Sequence, residues 1–514
     1  METIVDESLK KVVKGSGIVF FGIFIGRGIG ILSRIFIIRY VTQSEYGIYS
    51  LALVMFSIFV NVSTLGLQEG TARQVSYIRE KDETKTRWVI NSALKISMIA
   101  GMIFSVVLFL SSDFIASNIF HSDKLVEPLK IVSLAIPFYV LILIFTSIFR
   151  GFGRVDVKVY FEDVLRSVLF VSFLVVVFIF DLELTGVIYA LVASFIITFV
   201  VYTVYVTRSP IPIKVGKTLS LSPAGKELLL FSLPLLITMI FSLIRESIGI
   251  LLLGFFKDPD DVGLYNGAYP LAYLLTFTLF SAGFIYVPIA SQLYSKNLIG
   301  EMGRTYQIIT KWIFTMSLPI FFVLFLFPDL ILEFLFGEEY VSASLTLRIL
   351  ALSFMFNAFL GLNGPSLIVI GKTKLIMYIG FIGAVVNVVL NIILIPPYGI
   401  EGVAVASFLS YFIINILNSI KLYQLSKIQP FSRNYMKPIV NSIILLILIY
   451  IGSSFFIVKF WMLQIFLIVY LLGYFILLLL TRSLDKEDIN LLLAIEKRLG
   501  TNLSRIKRIV KKFM

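Results

Sequence analysis

The stretch EYGIYSLA at residues 45–52 returns as DVGLYNGA at residues 261–268, an offset of 216 residues. Three further pairs of short stretches repeat in the same order at offsets of 216 or 218: LKIV at 129–132 with LRIL at 347–350, GR at 153–154 with GK at 371–372, and GVIYA at 186–190 with GVAVA at 402–406. Four ordered matches at a nearly constant offset indicate an internal repeat. We therefore expect two copies of one structural unit.

The composition excludes a soluble protein. Hydrophobic residues make up 58% of the 514 residues and charged residues only 15%, whereas soluble domains carry roughly 25% charged residues. Long unbroken apolar blocks such as residues 460–480 also exclude an outer-membrane barrel, whose strands alternate apolar and polar residues. The absence of cysteine and the single histidine exclude disulfides, thiolate metal sites and histidine-based catalytic triads.

The apolar blocks predict an all-α polytopic membrane protein. A spanning helix needs about 20 mostly apolar residues, and the sequence predicts fourteen such spans, at residues 17–38, 48–67, 88–110, 129–149, 164–180, 184–206, 228–256, 265–289, 308–327, 344–370, 375–395, 402–422, 439–458 and 460–480. The two termini and every second loop between the predicted spans lie on the same side of the membrane, and together they hold 33 of the 44 lysines and arginines. The positive-inside rule then places both termini in the cytoplasm. The net charge of +13 is explained by this topology, and no nucleic-acid partner is expected.

Six spans separate the two copies of the repeat, so both copies have the same orientation in the membrane. We therefore predict two parallel six-helix lobes and two appended helices. The N-terminal lobe covers residues 1–215, the C-terminal lobe 216–430 and the appended helices 431–482. Residues 483–514 combine helical apolar spacing with many basic residues, which predicts an amphipathic cytoplasmic tail on the anionic inner leaflet.

Basic residues inside the spans are candidate substrate ligands. An arginine at a helix centre costs roughly 2.5–3.5 kcal/mol, so it usually faces a polar cavity or a partner. Arg27 and Arg34 share one face of the first span, and Arg245 lies at a similar depth in the seventh span, its repeat partner. Lys130 and Arg348 form a second matched pair nearer the outer face. A cationic cavity for an anionic headgroup is one interpretation; structural ion pairs and snorkelling toward headgroups are the other.

Three polar residues are candidates for a coupling ion. Glu246 in the seventh span could carry a proton, while Asn387 and Asn391, one turn apart in the eleventh, could share one Na⁺. Hydrogen bonding between helices is the alternative for the asparagines. The charged stretch at residues 162–166 is interpreted as an interfacial cluster. No catalytic residue, bound metal or other cofactor is predicted.

Several motifs together are similar to those of the lipid-linked oligosaccharide flippases and polysaccharide exporters of the multidrug/oligosaccharidyl-lipid/polysaccharide (MOP) superfamily. They are EYGIY at 45–49, FRGFGR at 149–154, VGLYN at 262–266 with AYPLA at 268–272, LFGEEY at 335–340, LRILAL at 347–352 and the stretch 387–398. The resemblance covers essentially the whole chain.

The resemblance implies a V-shaped, MATE-like core of twelve helices plus two, working by alternating access. It implies a flippase that moves a polyprenyl-(pyro)phosphate-linked oligosaccharide from the inner to the outer leaflet of the cell membrane. Family members line the cavity with cationic side chains, and in this chain the resemblance assigns that role to Arg27, Arg34 and Arg245. The related lipid II flippases bind Na⁺ through an Asn and an Asp one turn apart, and Asn391 stands at the Asp-like position.

Three alternatives remain open at the level of sequence. A drug or metabolite exporter of the same fold would prefer organic cations, which an arginine-lined cavity suits poorly. A membrane enzyme, such as a glycan polymerase or an oligosaccharyltransferase, needs a sizeable outer loop or domain, and the predicted outer loops are short, so an enzyme is not expected. A scaffold for glycan-assembly enzymes would not explain the matched arginines. The expected partners are a polyprenyl-linked oligosaccharide, membrane lipids and, in complexes, glycan-assembly enzymes.

Overall fold

The computed structural model describes residues 25–209, 211, 223–431, 433–455, 458–481 and 483, without the side chains of Thr238, Ser242, Arg245, Ile285, Arg433 and Asn434. Every regular element in these ranges is a helix, which confirms the all-helical prediction. The chain divides into two compact units, residues 1–266 and 267–514.

The first unit contains ten α-helices and the start of an eleventh in its described part. They are α1 (25–40), α2 (Gln43–Ser63), α3 (Leu67–Ile78), α4 (Glu83–Phe114), α5 (Val126–Ser133), α6 (Ile136–Gly151), α7 (Asp156–Lys158), α8 (Arg166–Phe180), α9 (Glu183–Arg208), α10 (Pro223–Phe256) and α11 (Pro259–Tyr273), which runs into the second unit. Two π-helical segments, Ile115–Ile119 and Val159–Leu165, and a 3₁₀ turn at Asp123–Leu125 complete the unit.

The second unit is built in the same way. Its α-helices in the described ranges are α12 (Thr276–Ser295), α13 (Ile299–Leu326), α14 (Pro328–Phe336), α15 (Ser344–Leu360), α16 (Asn363–Val369), α17 (Thr373–Ser426), α18 (Arg433–Ser453) and α19 (Phe460–Leu480), with a 3₁₀ segment at Glu338–Ala343. The 54-residue α17 is broken at Gly399 (φ 52°, ψ −126°). This break separates the predicted spans 375–395 and 402–422.

Ten helices in the described residues are long and apolar enough to cross a membrane, or up to twelve when two bent pairs are each counted as one span. The bent pairs are α5 with α6, at 47°, and α11 with the first part of α12, at 42°. The protein is therefore a multi-pass membrane protein. The count of fourteen spans stays a prediction, because the first span begins before the described residues and α17 holds two predicted spans.

The repeat is visible in the local structure. The repeated glycine-basic dipeptides 153–154 and 371–372 both follow a helix, and their glycines both have positive φ, 80° at Gly153 and 76° at Gly371. The residues just before the two copies of the longest motif also meet within the first unit, where Gln43 Nε2 donates to the backbone carbonyl oxygen of Asp260 at 3.1 Å. The two halves of the chain thus share local geometry as well as sequence.

The matched glycines of that motif mark a close helix crossing between α2 and the start of α11. A Cβ on Gly47 would overlap the carbonyl oxygen of Pro259, and a Cβ on Gly263 would overlap the carbonyl oxygen of Gln43. Since Gln43 and Pro259 are themselves 216 residues apart, the contact is reciprocal. Only glycine allows the two backbones to approach this closely.

The packing of α10 explains where the first unit ends. This helix packs against α2, α3 and α4, so residues up to 266 group with the first unit although the predicted lobe boundary lies at 215/216. The lobe boundaries stay a prediction. The predicted basic tail, residues 483–514, lies outside the described residues apart from Ser483.

Candidate functional site: an ionic cluster in the first unit

Helix α1 carries the first two predicted ligands. Arg27 is exposed and Arg34 is partly buried, and seven residues place them about two turns, or 10 Å, apart on one face. Beside Arg27, a Cβ on Gly26 would lie 2.8 Å from the carbonyl oxygen of Asp163 and 3.0 Å from its Cβ. Helix α1 therefore crosses the segment around Asp163 at a distance that only glycine permits.

Asp163 belongs to the π-helix Val159–Leu165. Such segments insert an extra residue into a helix and frequently occur at functional sites. The neighbouring Glu162 is only 8% exposed. Glu162 Oε1 and Asp163 Oδ2 are both buried, and neither has a hydrogen-bond partner in the described part of the chain. Two adjacent carboxyl groups with orphaned oxygens are costly to hold in a membrane span, so their charge must be balanced by neighbours.

The balancing cations come from three elements, α7, α8 and α1. Asp163 interacts electrostatically with three of them, in decreasing order Lys158, Arg166 and Arg27. Arg166, at the start of α8, donates from Nε to the carbonyl oxygen of Glu162 at 3.2 Å. Its guanidinium also lies over the ring of Phe195, 5.6 Å from the ring centroid. These contacts hold Arg166 beside the acidic pair.

Tyr49 of α2 is buried and lies within electrostatic range of both Arg34 and Arg166. Tyr139 of α6 interacts with Arg166 and with both acids. The arginines on α1 and Arg166 thus share one polar neighbourhood.

We call Arg27, Arg34, Glu162, Asp163 and Arg166 the N-terminal ionic cluster. It contains three cations and two acids, and Lys158 adds a further positive charge at its edge. The sequence predicts Arg27 and Arg34 as substrate ligands and indicates an interfacial cluster at residues 162–166. It does not predict that the two groups lie close together. The available signal was a carboxylate pair followed by Arg166 within an otherwise apolar segment.

The seventh predicted span carries two further candidates, Arg245 for substrate binding and Glu246 for proton coupling, and both lie on α10. The side chain of Arg245 is outside the described part of the structure, so its predicted role stays a prediction. The side chain of Glu246 is exposed, and its predicted role in proton coupling is likewise untested by the geometry.

Lys130 and Arg348 each form an ion pair, and the pairs repeat along the chain. Lys130 Nζ lies 3.0 Å from Asp113, and an Arg348 Nη lies 3.3 Å from Asp329. Arg348 Nε also donates to the carbonyl oxygen of Phe325 at 3.2 Å. The two aspartates are themselves 216 residues apart, so the matched bases hold equivalent structural contacts. Their predicted role in substrate binding stays a prediction.

Asn387 and Asn391 are buried in α17. Asn391 Nδ2 donates to the carbonyl oxygen of Asn387 at 2.8 Å and to its Oδ1 at 3.1 Å. Asn391 Oδ1 is buried without a hydrogen-bond partner in the described residues. That amide oxygen is suited to accept a cation, although a Na⁺ here would depend on neutral oxygens.

An open pocket of about 470 Å³ lies in the second unit between the first turns of α13 and the C-terminal end of α17. Arg304 and Lys427 line it, and Gly300 and Gly303 expose the backbone of α13. None of the predicted substrate residues lines this pocket. It is a separate basic feature from the N-terminal ionic cluster.

Apolar spanning helices with arginines and carboxyl groups inside them are typical of a membrane transport protein. The model of the polysaccharide biosynthesis protein family matches residues 12–294, more than half of the chain, so the chain belongs to that family. The MatE family model matches residues 234–393. The protein is a transporter of the MOP superfamily, as the motifs predicted.

Relatives and a solved structure agree with this classification. The uncharacterized membrane protein MJ1068 of Methanocaldococcus jannaschii is 24% identical over 419 residues, which cover 79% of this chain and 82% of that protein. The probable low-salt glycan biosynthesis flippase Agl15 of Haloferax volcanii is 32% identical over 172 residues, about a third of each protein. The structure of the lipid II flippase MurJ in an inward closed conformation covers 90% of this chain and 98% of its own, at 18% identity and a TM-score of 0.71. This likeness confirms the predicted fold class, and the relatives with a named activity are flippases rather than enzymes.

Proposed function

We propose that the protein is a flippase that moves a polyprenyl-(pyro)phosphate-linked oligosaccharide from the inner to the outer leaflet of the cytoplasmic membrane. The N-terminal ionic cluster is the observation that carries this proposal. Three arginines within or beside membrane spans cost several kcal/mol in total, and the two acids offset only part of that charge. The surplus positive charge suits a phosphate group, which arginine binds through paired hydrogen bonds.

The position of the cluster suits a headgroup that enters from the cytoplasmic leaflet. Asp163 lies seven residues into the candidate span that begins at Asp156, about 10 Å along a helix. With the predicted topology, both termini cytoplasmic, that end of the span faces the cytoplasm. The glycan cannot cross hydrocarbon, while its polyprenyl tail can stay in the bilayer. Alternating access between the two predicted six-helix lobes would then carry the headgroup across.

Two further elements belong to the proposal. The buried amide oxygen of Asn391 supports a Na⁺ coupling site with Asn387, and Glu246 supports a proton-coupled alternative. The matches to glycan-biosynthesis flippases support glycan-assembly enzymes as functional neighbours that supply and consume the lipid.

A drug exporter is the second candidate, because the MatE model matches residues 234–393. An exporter of organic cations requires net negative charge at its site, whereas the N-terminal ionic cluster has a positive surplus. The charge of the transported molecule therefore separates the two functions.

The test uses the full-length protein in liposomes. A fluorescent polyprenyl-pyrophosphate oligosaccharide is placed in one leaflet, and its exposure to a membrane-impermeant quencher on the other side is followed, with protein-free liposomes as control. Transfer well above the protein-free rate is expected. Efflux of a fluorescent organic cation without lipid transfer would instead establish the drug exporter.

A further inference from the structure

Asp163 stands out because Arg27, one of the arginines predicted to bind substrate, already lies near an anion of this chain. Gly26, next to Arg27, is in backbone contact with Asp163. The carboxylate of Asp163 interacts electrostatically with Lys158 most strongly, then with Arg166 of α8, and with Arg27 of α1. Asp163 therefore interacts with cations from both α1 and α8.

The Asp163 carboxylate is also poorly satisfied. Its Oδ2 atom is buried and accepts no hydrogen bond in the described residues. A carboxylate with a structural role normally uses its oxygens in hydrogen bonds, because an unsatisfied buried acceptor is costly. Asp163 thus gains charge balance from the arginines without the direct contacts that would lock it in place.

Its neighbour Glu162 is arranged differently. Glu162 faces the core of the first unit, where it is 8% exposed and interacts electrostatically with Tyr139 and Tyr202. Its carbonyl oxygen accepts the hydrogen bond from Arg166. The carboxyl groups of both residues interact with Lys158 and Arg166, but Glu162 also positions Arg166 through its backbone, whereas Asp163 also interacts with Arg27.

We propose that the carboxylate of Asp163 is an internal stand-in for the substrate's phosphate, balancing Arg27 and Arg166 when the site is empty and competing with the phosphate when the lipid binds. This inference rests on the proposed function. A phosphate that arrives must share the arginines with Asp163 or displace it, so binding is weaker than the arginines alone would allow. Weaker binding favours release of the lipid, which a flippase needs in order to turn over.

The proposal predicts a gain of affinity when the competing charge is removed. Asp163→Asn keeps the size of the side chain and deletes its charge. One unit charge near a bound phosphate, in surroundings of intermediate dielectric, changes affinity by about tenfold. We therefore expect Asp163→Asn to bind a polyprenyl pyrophosphate about tenfold more tightly than the wild type. Because the lipid is then released more slowly, both the half-saturating lipid concentration and the maximal rate of flipping should fall. Structural damage would instead weaken binding.

The experiment measures binding of three lipids to the full-length protein in nanodiscs of uncharged lipid: a polyprenyl pyrophosphate, the matching monophosphate and the uncharged polyprenol. The control variant Asp156→Asn deletes the same charge seven residues earlier, from an aspartate paired with Arg154 at 2.8 Å. Asp163→Glu keeps the charge. We expect tighter binding of both phosphorylated lipids only in Asp163→Asn, with polyprenol unchanged in every variant.

Failure of the inference and failure of the proposed function give different results. If the wild type prefers the phosphorylated lipids and Arg27→Ala abolishes that preference, but Asp163→Asn binds no more tightly, the stand-in role is refuted and the flippase stands. If the wild type binds all three lipids equally and Arg27→Ala changes nothing, the proposed function itself is refuted. An equal gain in Asp156→Asn and Asp163→Asn would also refute the stand-in role, since it would reflect net charge alone.

Discussion

Replacing Gly26 by alanine should loosen the contact between α1 and the acidic pair. The new Cβ would lie 2.8 Å from the carbonyl oxygen of Asp163, whereas ordinary contact begins near 3.4 Å. The helices must therefore separate by about 0.6 Å. Overpacking of this kind costs about 1–3 kcal/mol, while alanine in place of a helical glycine recovers about 0.5–1 kcal/mol. The net effect should lie between no change and a loss of about 2.5 kcal/mol.

Gly28 provides the matched control, because a Cβ there meets nothing within 4 Å. Gly28→Ala should therefore stabilise the protein by about 0.5–1 kcal/mol. The two free energies of unfolding, measured by SDS titration in mixed micelles, should differ by about 1–3 kcal/mol. Flipping should slow in Gly26→Ala alone, since only that change moves Arg27 away from Asp163. Equal stability and equal flipping in the two variants would refute the close crossing.

Three further changes test other parts of the structure. Lys130→Asp should reduce the amount of folded protein only modestly, because partly exposed ion pairs contribute about 1 kcal/mol or less. Adding Asp113→Lys should restore the amount of folded protein. Loss of flipping in this double variant would instead show that Lys130 has a role in substrate binding. Asn391→Ala should abolish any dependence of the flipping rate on a Na⁺ gradient, and a dependence that survives would exclude this site. Gly47→Ala should cost about 1–3 kcal/mol or more at the reciprocal helix crossing, whereas Gly380→Ala, with nothing within 4 Å of its Cβ, should not; equal melting temperatures would contradict the crossing.

The fold was largely predictable because only a few backbone structures can span a membrane. Backbone polar groups in a bilayer must be satisfied internally, so long apolar blocks can form only helices once a barrel is excluded. The repeat was readable for a similar reason, since helix ends need particular residues. Gly153 and Gly371 recur because each ends a helix with positive φ.

The site was predictable only in part. Inserted arginines are conspicuous in apolar spans, which is why Arg27 and Arg34 could be named. The proximity of Arg27 to Asp163 could not be predicted, because the two residues are 136 positions apart in the sequence. The π-helix at Val159–Leu165 adds a residue that helical periodicity does not reveal, and it changes which side chains share a face. Helical periodicity alone therefore does not predict that Glu162 and Asp163 lie near α1.

In the proposed function, the arginines of the N-terminal ionic cluster bind the phosphate of the transported lipid. The most direct measurement is the flipping rate of a fluorescent polyprenyl-pyrophosphate oligosaccharide in liposomes holding wild type, Arg27→Ala, Arg166→Ala or the control Arg39→Ala. Arg39 lies on α1 twelve residues from Arg27, and it is exposed. We predict a loss of at least tenfold in the first two variants and near-normal flipping in the control. Wild-type flipping in both cluster variants, with all proteins equally folded, would contradict the account.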